Sequence, residues 1–311
     1  MTPPDDTHRS KAHKGSMVVS IFVATAVIIM ALFYGPELVD ALQRVHIGWA
    51  AAGLGCYGVN YYMRAMRFRI ISKGRIPIWP EGFHAGCIHG FASYMLPFRS
   101  GDLTLPVILR NLMDFNLIDG GKILIRARLL DVMTLGIWIL CAVLFQESVL
   151  SGPIGMVWVL SGVLMLVGPP ITHWLAIKGR SSSRPFLNRI AGVVDPRRFN
   201  LSEMAVSLGI WAAVAGVFFF VAHSIGLSIS LVQVWLLISL QLPLQLIPMQ
   251  GVANAGNHEG GWVAGLLIIG FSAQQAVEFA LTSHIILISY VLVLGLAGVL
   301  TGRYCHQTRL P

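Results

Sequence analysis

Charge is what this sequence has least of. Only 12% of its 311 residues are Asp, Glu, Lys or Arg, about half the roughly 25% found in an ordinary globular domain. That scarcity excludes a large soluble helical core, because outer helix faces in water need charges that are missing here. Cysteine is scarce as well. The four present, Cys56, Cys87, Cys141 and Cys305, form no C-x-x-C pair, so neither a disulfide framework nor a zinc knuckle is indicated. No P-loop, G-x-S-x-G or dinucleotide fingerprint occurs, which argues against a nucleotide-driven pump in this chain. His258-Glu259-Gly260-Gly261-Trp262 opens like a zinc-protease helix but lacks the second histidine, and His84, Cys87 and His89 have no carboxylate beside them. No metal and no cofactor is expected.

What the sequence does have is apolar length. Hydrophobic residues make up 55% of it, and the mean hydropathy is +0.71. Continuous apolar stretches cover residues 17–35, 47–63, 129–145, 154–177, 204–227 and 277–301, each near the roughly 20 residues that cross a bilayer. The expected fold is an all-α integral membrane protein with six full transmembrane helices. The first stretch is read as a retained span, since no A-x-A-like cleavage site follows it. Two further apolar regions are broken. Residues 83–109 contain Pro97, Arg99, Gly101, Asp102 and Pro106; residues 231–271 contain Pro243, Pro248, Gly251, Gly256, Glu259 and Gly260.

The formal net charge is +8, but the bases lie between spans, as the positive-inside bias requires, and no soluble basic domain exists to hold nucleic acid. Lys and Arg collect in the N-terminal tail (residues 1–16), after the second stretch (Arg64, Arg67, Arg69, Lys73, Arg75), around Lys122 (Arg110, Arg126, Arg128), between Lys178 and Arg198, and in the C-terminal tail (residues 302–311). These segments belong on the cytoplasmic side, with both termini inside. Parity then requires each broken region to enter and return, the first from the cytoplasm and the second from the opposite face. A re-entrant helical hairpin does this; so do two thin crossings. The chain becomes two inverted halves, about 17–150 and 151–301, each reading span, span, hairpin, span. Interrupted segments at matching positions of inverted halves point to a transport site near the midplane.

The hairpin turns are expected at Pro97, Gly101, Pro248, Gly251, Gly256 and Gly260. Ionisable residues at membrane depth usually face a cavity, which makes Arg99, Asp102, Gln250, Asn254, His258 and Glu259 the candidate substrate-binding set. An Arg99–Asp102 ion pair that pins the turn is the plainer alternative for the first break. Glu259 has three readings: a proton acceptor, a hydrogen-bond acceptor for an arginine of the first hairpin, or part of a polar outer loop. Arg128 and Asp131 share one helical face, and Asp131 is expected to pair with Arg128, Arg110 or Arg64. Arg64, Arg67 and Arg69 suit a head-group interface or simple topology anchoring.

The P-x-R-x-G-[DE] turn at Pro97–Asp102, the R-L-L-D segment at Arg128–Asp131, and the I-P-x-x-G…G-x-x-E-G stretch ending at Gly260 together resemble the lysylphosphatidylglycerol synthase transmembrane-region family, over roughly residues 17–301. Aspartate stands at 102 where glutamate is more usual; Ala127 replaces an acidic residue, and Ala253 and Ala255 thin the glycine run. The resemblance implies a flippase-like lipid transporter of the bacterial cytoplasmic membrane, moving a phospholipid or polyprenyl-linked glycolipid. Its partners would be membrane lipids and a lipid-modifying transferase. A soluble lysyltransferase domain is not expected within these residues, so the chain is not expected to be an enzyme. The alternatives are a membrane-embedded head-group enzyme using Arg99, Asp102, His258 and Glu259, and a non-catalytic scaffold.

Overall fold

A computed structural model describes residues 35–145, 152–179, 191–192, 194–195, 197–246 and 250–307. Its elements are helices α1 (Gly35–Gln43), α2 (Ile47–Ile71), α3 (Phe83–Met95), α4 (Thr104–Met113), α5 (Leu117–Phe145), α6 (Gly152–Gly179), α7 (Leu201–Ser224), α8 (Leu231–Leu246), α9 (Asn257–Ile268) and α10 (Ala273–Gln307), with no strand among the described residues. The apolar runs predict helix for most of these elements, though α1 lies in a segment read as a connection between spans, and the caps explain several ends. Asn200 and Glu203 form a reciprocal capping box at the start of α7, Asn200 Oδ1 accepting from the Glu203 amide at 2.8 Å, which satisfies donors a helix start leaves unpaired.

Among the described residues, four helices are long and apolar enough to cross a membrane: α5, residues Gly155–Gly179 of α6, α7, and residues Ala273–Cys305 of α10. The expected first span lies outside the described residues, apart from Gly35. The second is a continuous helix of 25 residues, about 37 Å long at 1.5 Å per residue, yet it is not among the four. Arg64, Arg67 and Arg69 occupy its C-terminal part. A second difference concerns the segment around Lys122. It reads as a cytoplasmic connection, but it is the first part of α5. Arg126 and Asp131 there are buried, because each finds an oppositely charged partner inside the protein.

Both broken regions are pairs of short helices. The segment Pro97–Leu103 separates α3 from α4, and the described residues 250–256 lie between α8 and α9. Helices α2 and α7 pack along each other at the centre, with Asn60 Nδ2 donating to Ile210 O at 3.0 Å. Around that pair the contacts come in matched sets: α3 against α10 and α8 against α5; α4 against α5 and α9 against α10. Trp262, fully buried, is the centre of the main core, with Phe218 at 4.4 Å and Phe279 at 4.9 Å between ring centroids. A second core of Phe68, Ile71, Leu105, Leu109 and Leu130 joins α2, α4 and α5. On α6, Met156, Leu160, Leu164, Ile171 and Trp174 are exposed, an apolar outer face that suits hydrocarbon and not water.

Candidate functional site

The first break begins where Pro97 cannot continue the helix and Leu96 turns extended,. Phe98 and Arg99 then both adopt left-handed backbone, with φ of 56° and 54°, a conformation unfavourable by about 1–2 kcal/mol for a side-chain-bearing residue. Contacts hold it there. Phe98 N donates to Gln250 O of the second break at 3.0 Å, Ser100 Oγ to Pro97 O at 2.8 Å, and Thr104 Oγ1 to Gly101 O at 2.7 Å. Gly101 sits against the backbone of Ala92, where a Cβ would overlap the carbonyl.

The second break is held in return. Gln250 Nε2 donates to Ser93 O at 3.0 Å and Leu96 O at 3.3 Å. Ala253, Asn254 and Gly256 have φ of 54°, 64° and 83°; only at Gly256 is that free of strain. The Gly256 amide donates to Glu259 Oε2 at 2.7 Å. The two breaks are thus joined by hydrogen bonds in both directions.

Where they meet lies a polar cavity of about 120 Å³, lined by Arg64, Arg99, Asp102 and Arg128 together with Tyr61 and Asn254. A more apolar chamber of about 140 Å³ adjoins it, sharing Tyr57, Arg64, Tyr94 and Asn254 and adding Trp211 and Phe218. Tyr57, Tyr61 and Arg64 recur at helical spacing on one face of α2,. Arg128 grips Asp102 through two bonds, Nη2 to Oδ1 at 2.5 Å and Nε to Oδ2 at 3.1 Å, the forked geometry that only arginine offers a carboxylate. Ser93 Oγ donates to the same carboxylate at 2.8 Å. Arg128 also reaches Asp131 at 3.4 Å, and Asp131 takes Arg67 at 2.5 Å. Arg67 continues to Ser207 of α7 at 3.2 Å, so one chain of alternating charge ties the first break to α5, α2 and α7.

Several expectations change at this point. Arg99 is not Asp102's partner and forms no hydrogen bond or ion pair among the described residues; Arg128 holds Asp102 instead. Asp131 pairs with Arg128 and Arg67, not with Arg110 or Arg64. Arg110 is exposed on α4 and forms no ion pair among the described residues. Of the three arginines expected at a head-group interface, Arg69 is exposed, Arg64 lines the cavity, and Arg67 is buried at 3% exposure. A charged group withdrawn that far needs a partner, and Asp131 supplies it.

In the second break, Gly251 is extended and the reversal is made at Ala253–Gly256. Gly260 is within the first turn of α9, not a hairpin turn. Pro248 lies outside the described residues. Gln250 and Asn254 line the polar cavity, and His258 lines the apolar chamber. Glu259 is buried at 1% exposure and hydrogen-bonds His284, not an arginine of the first hairpin. His258 Nε2 meets Ser283 Oγ at 2.9 Å. Arg99, Asp102, His258 and Glu259 therefore form no shared hydrogen-bonded cluster.

Tyr57, Tyr61, Ser93, Tyr94 and His284 escape the sequence reading. His284 alone had a usable signal: it is an ionisable residue within an apolar span, where polarity is costly. The buried pair of Arg126 with Glu203, Nη2 to Oε2 at 2.7 Å, was legible only in part, through the capping box of α7. On the α7 approach, Asp195 lies beside Arg197. Burial raises its carboxyl, but the hydrogen bonds and charge of Arg197 outweigh that and hold it below the usual carboxylate range.

A model of the family described as the lysylphosphatidylglycerol synthase TM region matches residues 17–295. No curated protein matches the chain. With four helices among the described residues long and apolar enough to cross a bilayer, the chain is a multi-pass membrane protein of a lipid-related family.

Proposed function

The chain belongs to the lysylphosphatidylglycerol synthase TM-region family, and from that premise we propose that it moves a phosphate-bearing lipid between the leaflets of a bacterial cytoplasmic membrane. The charge of the central cavity carries the reading. Three arginines face one carboxylate there, and that carboxylate is committed to Arg128. Among the described residues Arg64 donates to the neutral Asn60 at 2.9 Å and lies over the Tyr61 ring, with no ion pair, and Arg99 has neither a hydrogen bond nor an ion pair. Two such guanidinium groups beside a cavity match a phosphate, which they can grip in the same forked way as a carboxylate. The Tyr94 hydroxyl, without a hydrogen-bond partner among the described residues, adds a donor. The adjoining chamber, walled by Trp211 and Phe218, suits the less polar part of the same molecule. A phospholipid and a polyprenyl-phosphate-linked glycolipid share this chemistry.

The architecture supports movement. The matched packing of α3–α10 with α8–α5, and of α4–α5 with α9–α10, around the central α2–α7 pair is what two inverted halves would generate. In this reading the chain has six full spans and both tails in the cytoplasm, and the α3–α4 and α8–α9 pairs are re-entrant hairpins from opposite faces. A head group crosses between their tips while the acyl or polyprenyl chains stay in lipid.

Proteoliposomes loaded with labelled phosphatidylglycerol, phosphatidylethanolamine or a polyprenyl phosphate test this. The phosphate-bearing anionic lipids should change leaflet faster than in empty vesicles. Losing one charge-assisted contact of about 1.5–3 kcal/mol weakens head-group binding roughly 10- to 100-fold, so Arg99→Ala should slow movement correspondingly. No movement of any of these lipids, with or without an ion gradient, would rule transport out.

A further inference from the structure

Asp102, Asp131, Asp195 and Glu203 are each held by an arginine. Glu259 is held by His284. An arginine stays charged throughout the physiological range, whereas an imidazole gains and loses its proton within it. The two breaks set the contrast side by side. Asp102 of the first meets Arg128, and Glu259 beyond the second meets His284, each base about three turns into its helix,. One half carries a fixed base where the other carries a titratable one.

The donors and acceptors at His284 make the proton visible. Its Nδ1 faces Glu259 Oε1, and its Nε2 faces Ala253 O at 2.7 Å. A carbonyl and a carboxylate only accept, so both contacts require the pair to hold one proton beyond a neutral imidazole beside a carboxylate. Either the ring carries two N–H groups, or Glu259 is protonated and donates to Nδ1. When that proton leaves for cavity water, its bonding electrons stay behind on nitrogen or oxygen. One ring lone pair then confronts an oxygen, and the pair changes from neutral overall to a charge of −1.

Both consequences fall on the cavity. Ala253 and Asn254 sit in left-handed backbone, anchored by His284 on Ala253 O and by Glu259 on the Gly256 amide, and Asn254 lines both chambers. With the remaining ring N–H on Nδ1, where it meets the charged carboxylate, deprotonation removes the first anchor and adds negative charge beside an anion site,. Few other groups face the pair. From α9, His258 stacks on His284 at 4.7 Å and bonds Ser283 of α10. From α3, Tyr94 approaches His284 edge-on at 6.2 Å. Helix α8 brings the neutral Gln241 to His258 O, and α7 brings Phe218. Tyr57 of α2 meets Tyr290 further along α10, and Glu278, earlier in α10, is paired with Arg44. Arg64, Arg99 and Arg128 bond neither member.

We propose that Glu259 and His284 form a proton-binding site linked to the head-group cavity, so that a proton and an anionic lipid bind cooperatively and move together. This rests on the transport reading above. By linkage each ligand strengthens the other's binding by the same factor.

Hydrogen exchange of residues 251–256 in the full chain in nanodiscs, across roughly pH 5 to pH 8 and corrected for intrinsic rates, reads the site without any transport. Protection should fall about tenfold as pH rises. It should stay flat and high in His284→Arg, which imposes the first half's fixed charge. His284→Gln serves if that variant does not fold, and its profile should be flat. A flat wild-type profile, or a titration unchanged in the folded variant, overturns the proposal. In liposomes holding labelled phosphatidylglycerol, an imposed proton gradient should change the rate of movement. Lipid movement indifferent to the gradient, with flat exchange, overturns proton linkage and leaves transport standing. A titrating segment in a protein that moves no lipid overturns the transport reading and, with it, the coupling.

Discussion

Replacing Asp131 with Asn should destabilise the protein severely, and the structure sets the size of the effect. The Asp131 carboxylate accepts from Arg67 at 2.5 and 3.5 Å and from Arg128 at 3.4 Å. Arg128 keeps Asp102 when Asp131 loses its charge. Among the described residues Arg67 keeps only the Ser207 hydroxyl at 3.2 Å, and its Nε already lacks a partner there. A buried guanidinium left uncompensated costs about 3–5 kcal/mol, a large part of the roughly 5–15 kcal/mol that holds a domain folded. At about 2–4 °C per kcal/mol, the melting temperature should drop by about 6 to 20 °C. The assay is thermal unfolding in nanodiscs, followed by a thiol-reactive dye at Cys87, whose side chain is buried in the fold. The double change Arg67→Met with Asp131→Leu removes both charges together and should recover most of the loss, because a buried pair is often matched by apolar residues of similar volume. An Asp131→Asn protein that melts within about 2 °C of the wild type, less than about 1 kcal/mol, would refute the claim that Arg67 depends on this carboxylate.

Arg99→Ala should leave the melting temperature almost unchanged, within about 0.5 kcal/mol, since Arg99 makes no hydrogen bond or ion pair among the described residues. The same variant should lose anionic lipid that the wild type retains through purification, read by mass spectrometry; a large fall in stability would mean Arg99 is structural. Gly101→Ala puts a methyl group into the Ala92 carbonyl and should cost about 1–3 kcal/mol or more as the hairpin shifts; unaltered melting would mean the two arms separate freely. Asp195 has a folded-state carboxyl depressed below its unfolded value. Its contribution is therefore fully present above the unfolded value near pH ~3.9 and disappears as pH falls through the folded one. Exchange at residues 197–200 should rise only in that acid range; a rise already between roughly pH 5 and pH 7 would reverse the assigned sign.

Much of this molecule is readable along the chain. The bilayer is a uniform apolar solvent, so crossing helices must be long and uncharged, and composition reports them directly. The helical runs that became α5, α6, α7 and α10 follow from that requirement. The breaks at Pro97 and near Gly256 were visible for a related reason. Proline removes an amide and glycine tolerates positive φ, and such residues stand out where neighbouring sequence is uniformly apolar. Polar residues there also drew attention to Arg99, Asp102 and Asn254, all of which line one cavity.

Partnership between charges was beyond that reading. Arg67 and Arg69 are two residues apart on one basic run, yet Arg67 is buried against Asp131 while Arg69 is exposed. A helix turns its side chains through successive directions, and which direction is solvent, lipid or protein depends on the helices around it. Asp102 has an arginine three residues away and takes another, Arg128, from the next long helix. Glu259 has only neutral residues around it in sequence, apart from His258, and its partner stands 25 positions further on. Spacing along a chain limits which residues share a helix face; it does not say which helix lies opposite. The sequence alone thus settled a membrane fold with two polar interruptions, because solvent chemistry acts on each residue locally. Joining those interruptions into one arginine-lined cavity, and giving one acid a fixed base and the other a titratable one, required the helices to be packed, because ion pairing is a property of space.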